Sequence, residues 1–364
     1  MEKKERKNLK TGFSTGTAAT AASVAAAELL INGKAPEKVM VKLPKAKTII
    51  IEVEEAHLDE KSATAIIKKL AGDDPDVTNK ARVGSIVTES PTKGITISGG
   101  PGVGRLTKPG LVLPPGEWAI NPVPRSMIKD NLSPYLEEIE GGLSVVIFIE
   151  KGELLAKRTL NPRLGIVGGL SVLGTTGLVR PFSNAAYIAT IDAAMDVAKA
   201  QGLDEIVLTT GGRSETFGRE ARPDLPEEAF VQIADFYKDG LTHAVKHKFA
   251  TIGLSIFFGK AVKQAAGIPY THAHKSDLDL SPLSGYLSHL PRKVRNEIVK
   301  APTALAALEI LKLNNATDAV PYVAREVLKT ARGFTGPGPK IWVRIFDFDG
   351  SILAYEETKK ALKV

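Results

Sequence analysis

The chain has 364 residues, 43% of them hydrophobic and 24% charged, the composition of a folded protein and not of a disordered, collagen-like or coiled-coil one; a single core stops growing at ~250–300 residues, so two domains are expected. It contains no cysteine, which excludes a disulfide framework, a cysteine nucleophile, thiolate-held zinc and cysteine-ligated iron–sulfur clusters, and suits a reducing compartment. With 48 Lys and Arg against 41 Asp and Glu the net charge is +7, which favours an anionic partner, and 6% aromatic residues leave few platforms for nucleic-acid bases, so a small polyanion ranks above nucleic acid.

The basic start MEKKERKNLK and the alanine-rich run 18–30 imitate a secretory signal poorly, because residues 11–17 are polar and Glu28 interrupts the run. The run reads instead as a helix, opened by one of Ser14, Thr15 or Thr17 as N-cap and stopped by Asn32-Gly33. No stretch approaches the ~20 apolar residues of a membrane span. With no targeting segment read, a cytoplasmic location is expected. Residues 38–43 and 48–53 alternate around 44–47 as a hairpin. Residues 62–70 are compatible with a helix that Gly72-Asp73-Asp74-Pro75-Asp76 breaks, and 82–89 and 94–98 read as further strands of an antiparallel sheet. The stretch 99–124, rich in Gly and Pro, is a long loop of the kind that carries function. A short helix at 134–139 and a β pair, 143–149 with 153–159, complete an α+β domain over 1–160.

A second grammar starts near Asn161. A short apolar strand at 163–167 and a Gly-rich loop at 168–177 precede an amphipathic helix over 184–201. Strand 205–209, Gly loop 210–213, helix 227–247, strand 251–257 and helix 259–266 follow, then helices at 292–300, 303–313 and 319–331. Such alternation implies βαβ units, so 161–335 is expected to be a Rossmann-like three-layer αβα domain with a mostly parallel sheet. The tail runs out over 340–348, turns at Asp349-Gly350 and returns over 351–355 as a hairpin. Its alternation resembles the first half, so 336–364 is expected to join domain 1–160.

Several phrases invite chemistry. IFDFDGSIL at 345–353 matches the nucleophile motif of haloacid-dehalogenase-like phosphatases, but too little chain follows Gly350 to supply the Lys and Asp that chemistry needs; a hairpin turn is the better reading. The glycines at 100, 102 and 104 are followed by Lys108-Pro109-Gly110 and not by a helix, so they make no dinucleotide fingerprint. Residues 173–177 and 208–213 read as loops after parallel strands, where open α/β sheets bind ligands. Gly174, Thr175, Thr209, Thr210, Gly211 and Gly212 are therefore the candidate cofactor-contacting residues, beside the plain reading of βα turns. Arg105, Lys108, Arg125, Arg163, Arg180, Arg213 and Lys275 lie in irregular segments and suit a ligand with several carboxylates, each being otherwise a surface charge. THAHKSDLD at 271–279 holds two His and two Asp, but alternating His272 and His274 would point to opposite faces of an extended chain. A polar active-site loop is expected there, and no protein-bound metal. Asp73, Asp74 and Asp76 form either a solvated turn or an acidic face toward a cationic donor.

Taken in order, LKTGFSTGT at 9–17, AGDDPDVT at 71–78, GVGRLTKPG at 102–110, AINPVPR at 119–125, NPRLGIVGG at 161–169 and LGTTG at 173–177 converge. The set, which spans residues 9 to about 280 and resumes at FDFDG 346–350, resembles the cobalt-precorrin-5B C(1)-methyltransferase family of the anaerobic cobalamin pathway. The resemblance implies S-adenosylmethionine as methyl donor and a cobalt-bearing tetrapyrrole as acceptor, methylated at ring carbon C1 to cobalt-precorrin-6A. The many carboxylates of such an acceptor agree with the positive charge and loop arginines, and cobalt would arrive inside the substrate. Methyl transfer from sulfonium to carbon is an in-line displacement, which needs alignment and exclusion of water but no covalent nucleophile. His272 and Asp277 are the candidates to assist proton loss from the ring. The acidic residue that Rossmann-type methyltransferases place before their Gly-rich loop is missing, which keeps an alternative in view: a dinucleotide-dependent oxidoreductase acting on a polycarboxylate. A nucleic-acid binder is a third reading, disfavoured by scattered basic residues, and a homo-oligomer is left open.

Overall fold

The computed structural model describes residues 9–273 and 278–358. The chain divides into two compact units, Met1–Ser183 and Asn184–Val364. Among the described residues no helix is long and apolar enough to cross a membrane.

The first unit is built on helix α1 (Thr15–Asn32). Ser14 is its N-cap, its hydroxyl accepting from the Thr17 N–H at 3.1 Å, and Gly33 ends it at φ +66° with its N–H on the Leu29 carbonyl. Fourteen of its 18 residues are buried, so it has no polar face to show, and its alanines let it lie close against the sheet. The few polar groups it buries are satisfied: Ser23 Oγ lies 2.8 Å from the Ala19 carbonyl and 3.0 Å from Ser85 Oγ. A separate antiparallel hairpin, β1 (Lys38–Leu43) and β2 (Lys47–Glu52), follows as expected. The main sheet takes β3 (Glu55–Leu58), β4 (Ser62–Lys68), β5 (Arg82–Ser90), β6 (Gly94–Gly99) and, after helix α2 (Pro122–Leu132), β7 (Gly142–Ile149), in the order β3-β4-β5-β7-β6.

Three expectations for this half are corrected. Residues 62–68 are strand and not helix, because Ala63, Ala65 and Ile67 recur at period two and fill one face. The sheet is mixed, since β7 inserts between β5 and β6 and pairs parallel to β6. Residues 153–159 do not return as a strand: Gly152–Ala156 is a helical turn, rich in the good helix formers Glu and Leu. The boundary also moves. Ile166–Val167 pairs with Arg105–Leu106, Gly169–Leu170 with Gly102–Val103, and Leu178–Val179 with Gly12–Phe13, so residues 161–183 belong to the first unit, where Ile166, Leu170 and Val172 are buried.

In the second unit, helix α3 (Asn184–Ala200) leads to β8 (Glu205–Thr209), α4 (Gly212–Ala221), β9 (Phe230–Gln232), α5 (Tyr237–Lys246), β10 (Thr251–Phe257) and α6 (Phe258–Ala265). Helices α7 (Arg292–Val299), α8 (Ala304–Leu313) and α9 (Ala319–Thr335) precede β11 (Lys340–Phe346) and β12 (Ile352–Glu357). The sheet order is β9-β8-β10-β11-β12, parallel except for the closing hairpin. Alternate residues face two different helical layers. Ile206, Leu208, Ile252, Leu254, Ile341 and Val343 enter the main core with Met195, Leu241, Val262, Leu308 and Val327. On the other face lie Val207, Phe230 and Trp342, and α4 is tied there by Ser255 Oγ donating to the Ser214 carbonyl at 2.7 Å and Arg344 to the Ala221 carbonyl at 3.0 Å.

Two further expectations fail here. The stretch 227–247 is not one helix: Ala234, at φ +46°, breaks it between β9 and α5, and buried Phe230 and Val231 make a strand. The tail does not join the first unit. Strand β11 pairs in parallel register with β10 from Thr251↔Lys340 to Phe257↔Phe346 and is buried on both faces, as an interior strand must be.

Candidate functional site

In the second unit the chain leaves β8 toward β9 on one side and reaches β10, then β11, on the other. Between β8 and β10 the strand order therefore reverses, which opens a crevice at the carboxyl ends of parallel strands. A cavity of about 370 Å³ lies there, lined by Thr210, Gly211, Gly212, Arg213 and Ser214 after β8, Phe257 at the end of β10, Gly259, Lys260 and Lys263 after it, Thr271, Ala273, and Phe348 from the tail turn.

Each wall has a local cause. Helix α4 starts at Gly212, with Gly211 as its N-cap, so first-turn N–H groups without helical acceptors face the crevice end of β8. Ser214 shapes the turn, its hydroxyl donating to the Gly211 carbonyl at 2.9 Å while accepting from the Thr210 N–H at 3.1 Å. Phe257 and Phe348 stack with ring centroids 5.0 Å apart, and the Arg213 guanidinium covers both at 5.6 and 5.3 Å and donates to the Phe348 carbonyl. Opposite them, Lys260 is paired with Asp235, which follows β9, and the Asp235 carbonyl accepts from the Thr271 N–H at 3.0 Å. That clamp fixes residues 271–273. His272 sits in this segment, half-buried, its ring 5.9 Å from Tyr270 at an interplanar angle of 5°. Behind it Phe236 meets Tyr270 at a tilt of 60° and stacks on Tyr187, and burial together with the charge of Asp235 raises the Tyr187 hydroxyl above its ordinary pKa.

The crevice thus gathers Thr210, Gly211, Gly212 and Arg213 with the His272 segment. Thr209 stands one residue back as a buried strand residue. Asp277, Lys275 and His274 lie outside the described residues. Gly174 and Thr175 do not follow a strand of this sheet, as was expected, but belong to the first unit. There Gly174, at φ +142°, backs onto Ser14 so closely that a Cβ would sit 2.2 Å from its Oγ, and Thr175 is exposed. Their loop is seated on the start of α1: the Leu173 N–H donates to Thr15 Oγ1 at 3.0 Å, the Gly16 N–H to the Leu173 carbonyl at 2.9 Å and Thr17 Oγ1 to the Gly177 carbonyl at 2.7 Å.

The remaining cations gather on the zipped loops of the first unit. Arg105 is exposed, lies over the Trp118 ring at 3.9 Å and donates to the Gly116 carbonyl at 2.9 Å. Arg125 donates to the Ile120 carbonyl at 2.8 Å and to Glu117 at 3.0 Å, so it fastens the loop it follows. Lys108 packs its methylenes on Gly165, two residues from half-buried Arg163. The acidic turn is structural in its bonding. The Lys10 N–H donates to Asp73 at 2.6 Å and the Phe182 N–H to Asp74 at 2.9 Å, while buried Lys69 pairs with Asp76 at 2.5 Å.

Thr271 opens the 271–279 segment expected to be a polar active-site loop, whereas Phe257, Lys260, Lys263 and Phe348 escaped the sequence reading. The signal for them was positional: each of Phe257 and Phe348 stands at or just past the end of an apolar strand, and Lys260 opens the next helix.

Comparison with known proteins places this architecture. The CbiD family model matches residues 2–181 and that of the CbiD C-terminal domain residues 270–357. A cobalt-precorrin-5B C(1)-methyltransferase of Salinispora arenicola (strain CNS-205) is 40% identical over 349 residues, 94% of this chain and 91% of that one. One of Priestia megaterium is 46% identical over 283 residues, 77% of each chain. The crystal structure of a cobalamin biosynthesis protein from Archaeoglobus fulgidus is similar at 30% identity, covering 70% of this chain and 79% of that one, with a TM-score of 0.40. With both family models matched and relatives at this identity along nearly its whole length, the chain belongs to the CbiD family.

Proposed function

We propose that the chain is a methyltransferase that moves a methyl group from S-adenosylmethionine to ring carbon C1 of cobalt-precorrin-5B, giving cobalt-precorrin-6A in anaerobic cobalamin biosynthesis. The observation that carries the activity is 40% identity across 94% of the chain to a protein of that name. The donor is assigned to the crevice of the second unit, whose strand order and helices on both faces support a Rossmann-like reading of that unit.

The crevice offers what such a donor needs. The start of α4 and Arg213 suit the carboxylate of the methionine part. The paired rings of Phe257 and Phe348 give a flat apolar wall for the adenine. In the transfer the bond from sulfur to methyl breaks as the bond from methyl to C1 forms; the sulfonium leaves as a neutral thioether, and its positive charge passes to the macrocycle, which discharges it by losing a proton. The protein's part is alignment and exclusion of water. His272, between crevice-lining Thr271 and Ala273, is the proposed proton acceptor, with Asp277 as the other candidate. By charge, Arg105, Lys108, Arg163 and Lys275 suit carboxylates of the acceptor. Cobalt enters as part of that acceptor. The absence of cysteine and the scattered basic residues fit a cytoplasmic enzyme with a small-molecule partner.

Isothermal titration with S-adenosylmethionine, S-adenosylhomocysteine and NAD tests the donor. One-site binding of the first two, weakened in Arg213→Ala, is expected. Tight NAD binding with no response to either sulfur compound would overturn the reading in favour of the oxidoreductase.

A further inference from the structure

Away from the crevice, the second unit carries converging ligand groups that methyl transfer does not use. His243 and His247 are four residues apart across the last turn of α5 and its C-cap, so they project from one face. Asp192 and Asp196 repeat that spacing on α3, which packs against α5. His243 Nδ1 and His247 Nε2 each lie 2.7 Å from the same oxygen, Asp192 Oδ1, and the three ligand atoms fall within 4.8 Å of one another. Through its other ring nitrogen, Nδ1, His247 faces Asp196 Oδ1 at 3.4 Å. The site is sheltered: the His247 side chain is 10% exposed, His243 23% and Asp192 28%. Lys246, 64% exposed, reaches both carboxylate oxygens from the solvent side, Asp192 Oδ2 at 3.2 Å and Oδ1 at 3.3 Å, and must swing away when an ion takes Oδ1.

Two imidazole nitrogens and one carboxylate oxygen aimed at one point form the donor set of a divalent transition-metal site with a position left for water. Asp196 supplies what such a site needs next. With its Oδ1 3.4 Å from His247 Nδ1, Asp196 is placed to hold the proton on Nδ1 and turn the Nε2 lone pair inward when an ion is bound, the arrangement of carboxylate, histidine and metal that orients a ligand ring. The carbonyl end of α5 adds a negative potential that favours a cation.

We propose that Asp192, His243 and His247 bind one Zn²⁺, with Asp196 as the residue that positions His247. The ion joins α3 to α5 near the amino ends of the strands, since the last turn of α5 precedes β10 by only a short loop, whereas the crevice lies at the carboxyl ends. It therefore lies apart from the methyl-transfer crevice, and it is separate from the cobalt that the acceptor carries.

The test uses the full chain, stripped with a chelator and then titrated with Zn²⁺ against a chromophoric competitor, and with Co²⁺ read by visible absorption. One equivalent of Zn²⁺, a Co²⁺ band of four- or five-coordinate intensity and a higher melting temperature with Zn²⁺ are expected. Loss of that equivalent in the double variant His243→Ala, His247→Ala is expected, whereas His57→Ala, exposed elsewhere, keeps it. Asp196→Ala should retain the stoichiometry and weaken binding by about 10–100-fold, which a merely structural carboxylate would not do. A stripped wild-type protein that gives no stoichiometric Co²⁺ band, or that binds Zn²⁺ no better than the double-histidine variant, overturns the proposal. The wild-type titration decides even if a variant fails to fold.

Discussion

Replacing Asp76 by Ala is expected to destabilise the first unit by about 3–4 kcal/mol while leaving donor binding untouched. Lys69 is 1% exposed, and its ammonium group meets Asp76 Oδ2 at 2.5 Å; Asp76 Oδ1 accepts from the Thr78 N–H and hydroxyl, each at 2.7 Å. Removing one partner of a buried pair costs about 3–5 kcal/mol, because the other charge stays behind without water or counter-ion. The two Thr78 bonds add about 1 kcal/mol each. The Asp76 side chain is itself 25% exposed, so water entering the vacated space offsets part of that sum. The chain has two tryptophans, Trp118 in the first unit and Trp342 in the second, so in a Trp342→Phe background the fluorescence of Trp118 reports unfolding of the first unit by urea. Adding Lys69→Met to Asp76→Ala is expected to recover at least half the loss, since an apolar replacement of a buried pair is nearly neutral. A loss below about 1 kcal/mol, the size of an ordinary surface change, or no recovery in the double variant, would refute the buried-pair account.

The pH dependence has a definite sign. Burial raises the Asp76 carboxyl, but the charge and hydrogen bond of Lys69, with the Thr78 bonds, prevail and hold its pKa below the ordinary value. A carboxylate depressed in the folded state stabilises fully above its unfolded pKa, about 3.9, and loses that contribution as pH falls through the folded value. The gap between wild type and Asp76→Asn should therefore be constant near neutrality and narrow only below about pH 4.

Arg213→Ala is expected to weaken S-adenosylhomocysteine by about tenfold in titration, as for a lost charge-assisted hydrogen bond, whereas Arg105→Ala in the first unit should leave that affinity alone; equal effects would contradict the assignment of the donor to the crevice. Gly174→Ala places a Cβ 2.2 Å from the cap hydroxyl of Ser14 at a backbone φ of +142°. The loss of the α1 cap and the strain together predict about 2–4 kcal/mol in the Trp118 assay. Gly253→Ala drives a Cβ to within 2.1 Å of the Trp342 ring, whose indole N–H donates to Glu205 at 2.7 Å. Overpacking of about 1–3 kcal/mol and a red-shifted Trp342 emission in a Trp118→Phe background are expected, and an unshifted emission would place the ring elsewhere.

What the sequence disclosed, and what it hid, follows from how far each signal reaches along the chain. The ends of α1 were legible because Ser14 and Gly33 act on backbone within a turn of themselves, and β8 and β10 because a short apolar run soon followed by glycine leaves few alternatives. Residues 340–346 were equally legible as a strand, but their neighbours were not, since nothing local to them names β10, some ninety residues earlier, as partner. The same blindness misplaced 173–177. A Gly loop after a short apolar segment reads alike whether that segment enters a parallel sheet or forms a two-residue bridge, as Gly169–Leu170 does with Gly102–Val103. At the crevice, Thr210 to Arg213 followed from the rule for strand ends, while Thr271 depended on a tertiary contact with Asp235 that no spacing encodes.

The first unit's phrases that reveal the family and the residues assigned to the donor therefore serve different ends. Ser14, Thr15 and Thr17 anchor the 171–177 loop; Asp73 and Asp74 tie down residue 10 and residue 182; Gly102 and Gly169 meet where any side chain would strike backbone. Such close approach admits few alternatives, which is why these segments are recognisable, and it concerns how the first unit holds its shape. The crevice rests on positions more permissive in kind: a helix start, two stacked phenyl rings, a cation beside them. Substitutions should divide along the same line. A change in the first unit's signature phrases should lower the Trp118 unfolding midpoint with donor affinity intact, and a change at Arg213, Phe257 or Phe348, the last within the tail phrase 346–350, should lower donor affinity with that midpoint intact. Were Gly174→Ala to abolish donor binding in a protein still folded at the assay temperature, the signature loop itself would have to touch the donor, and the assignment of the crevice would fall.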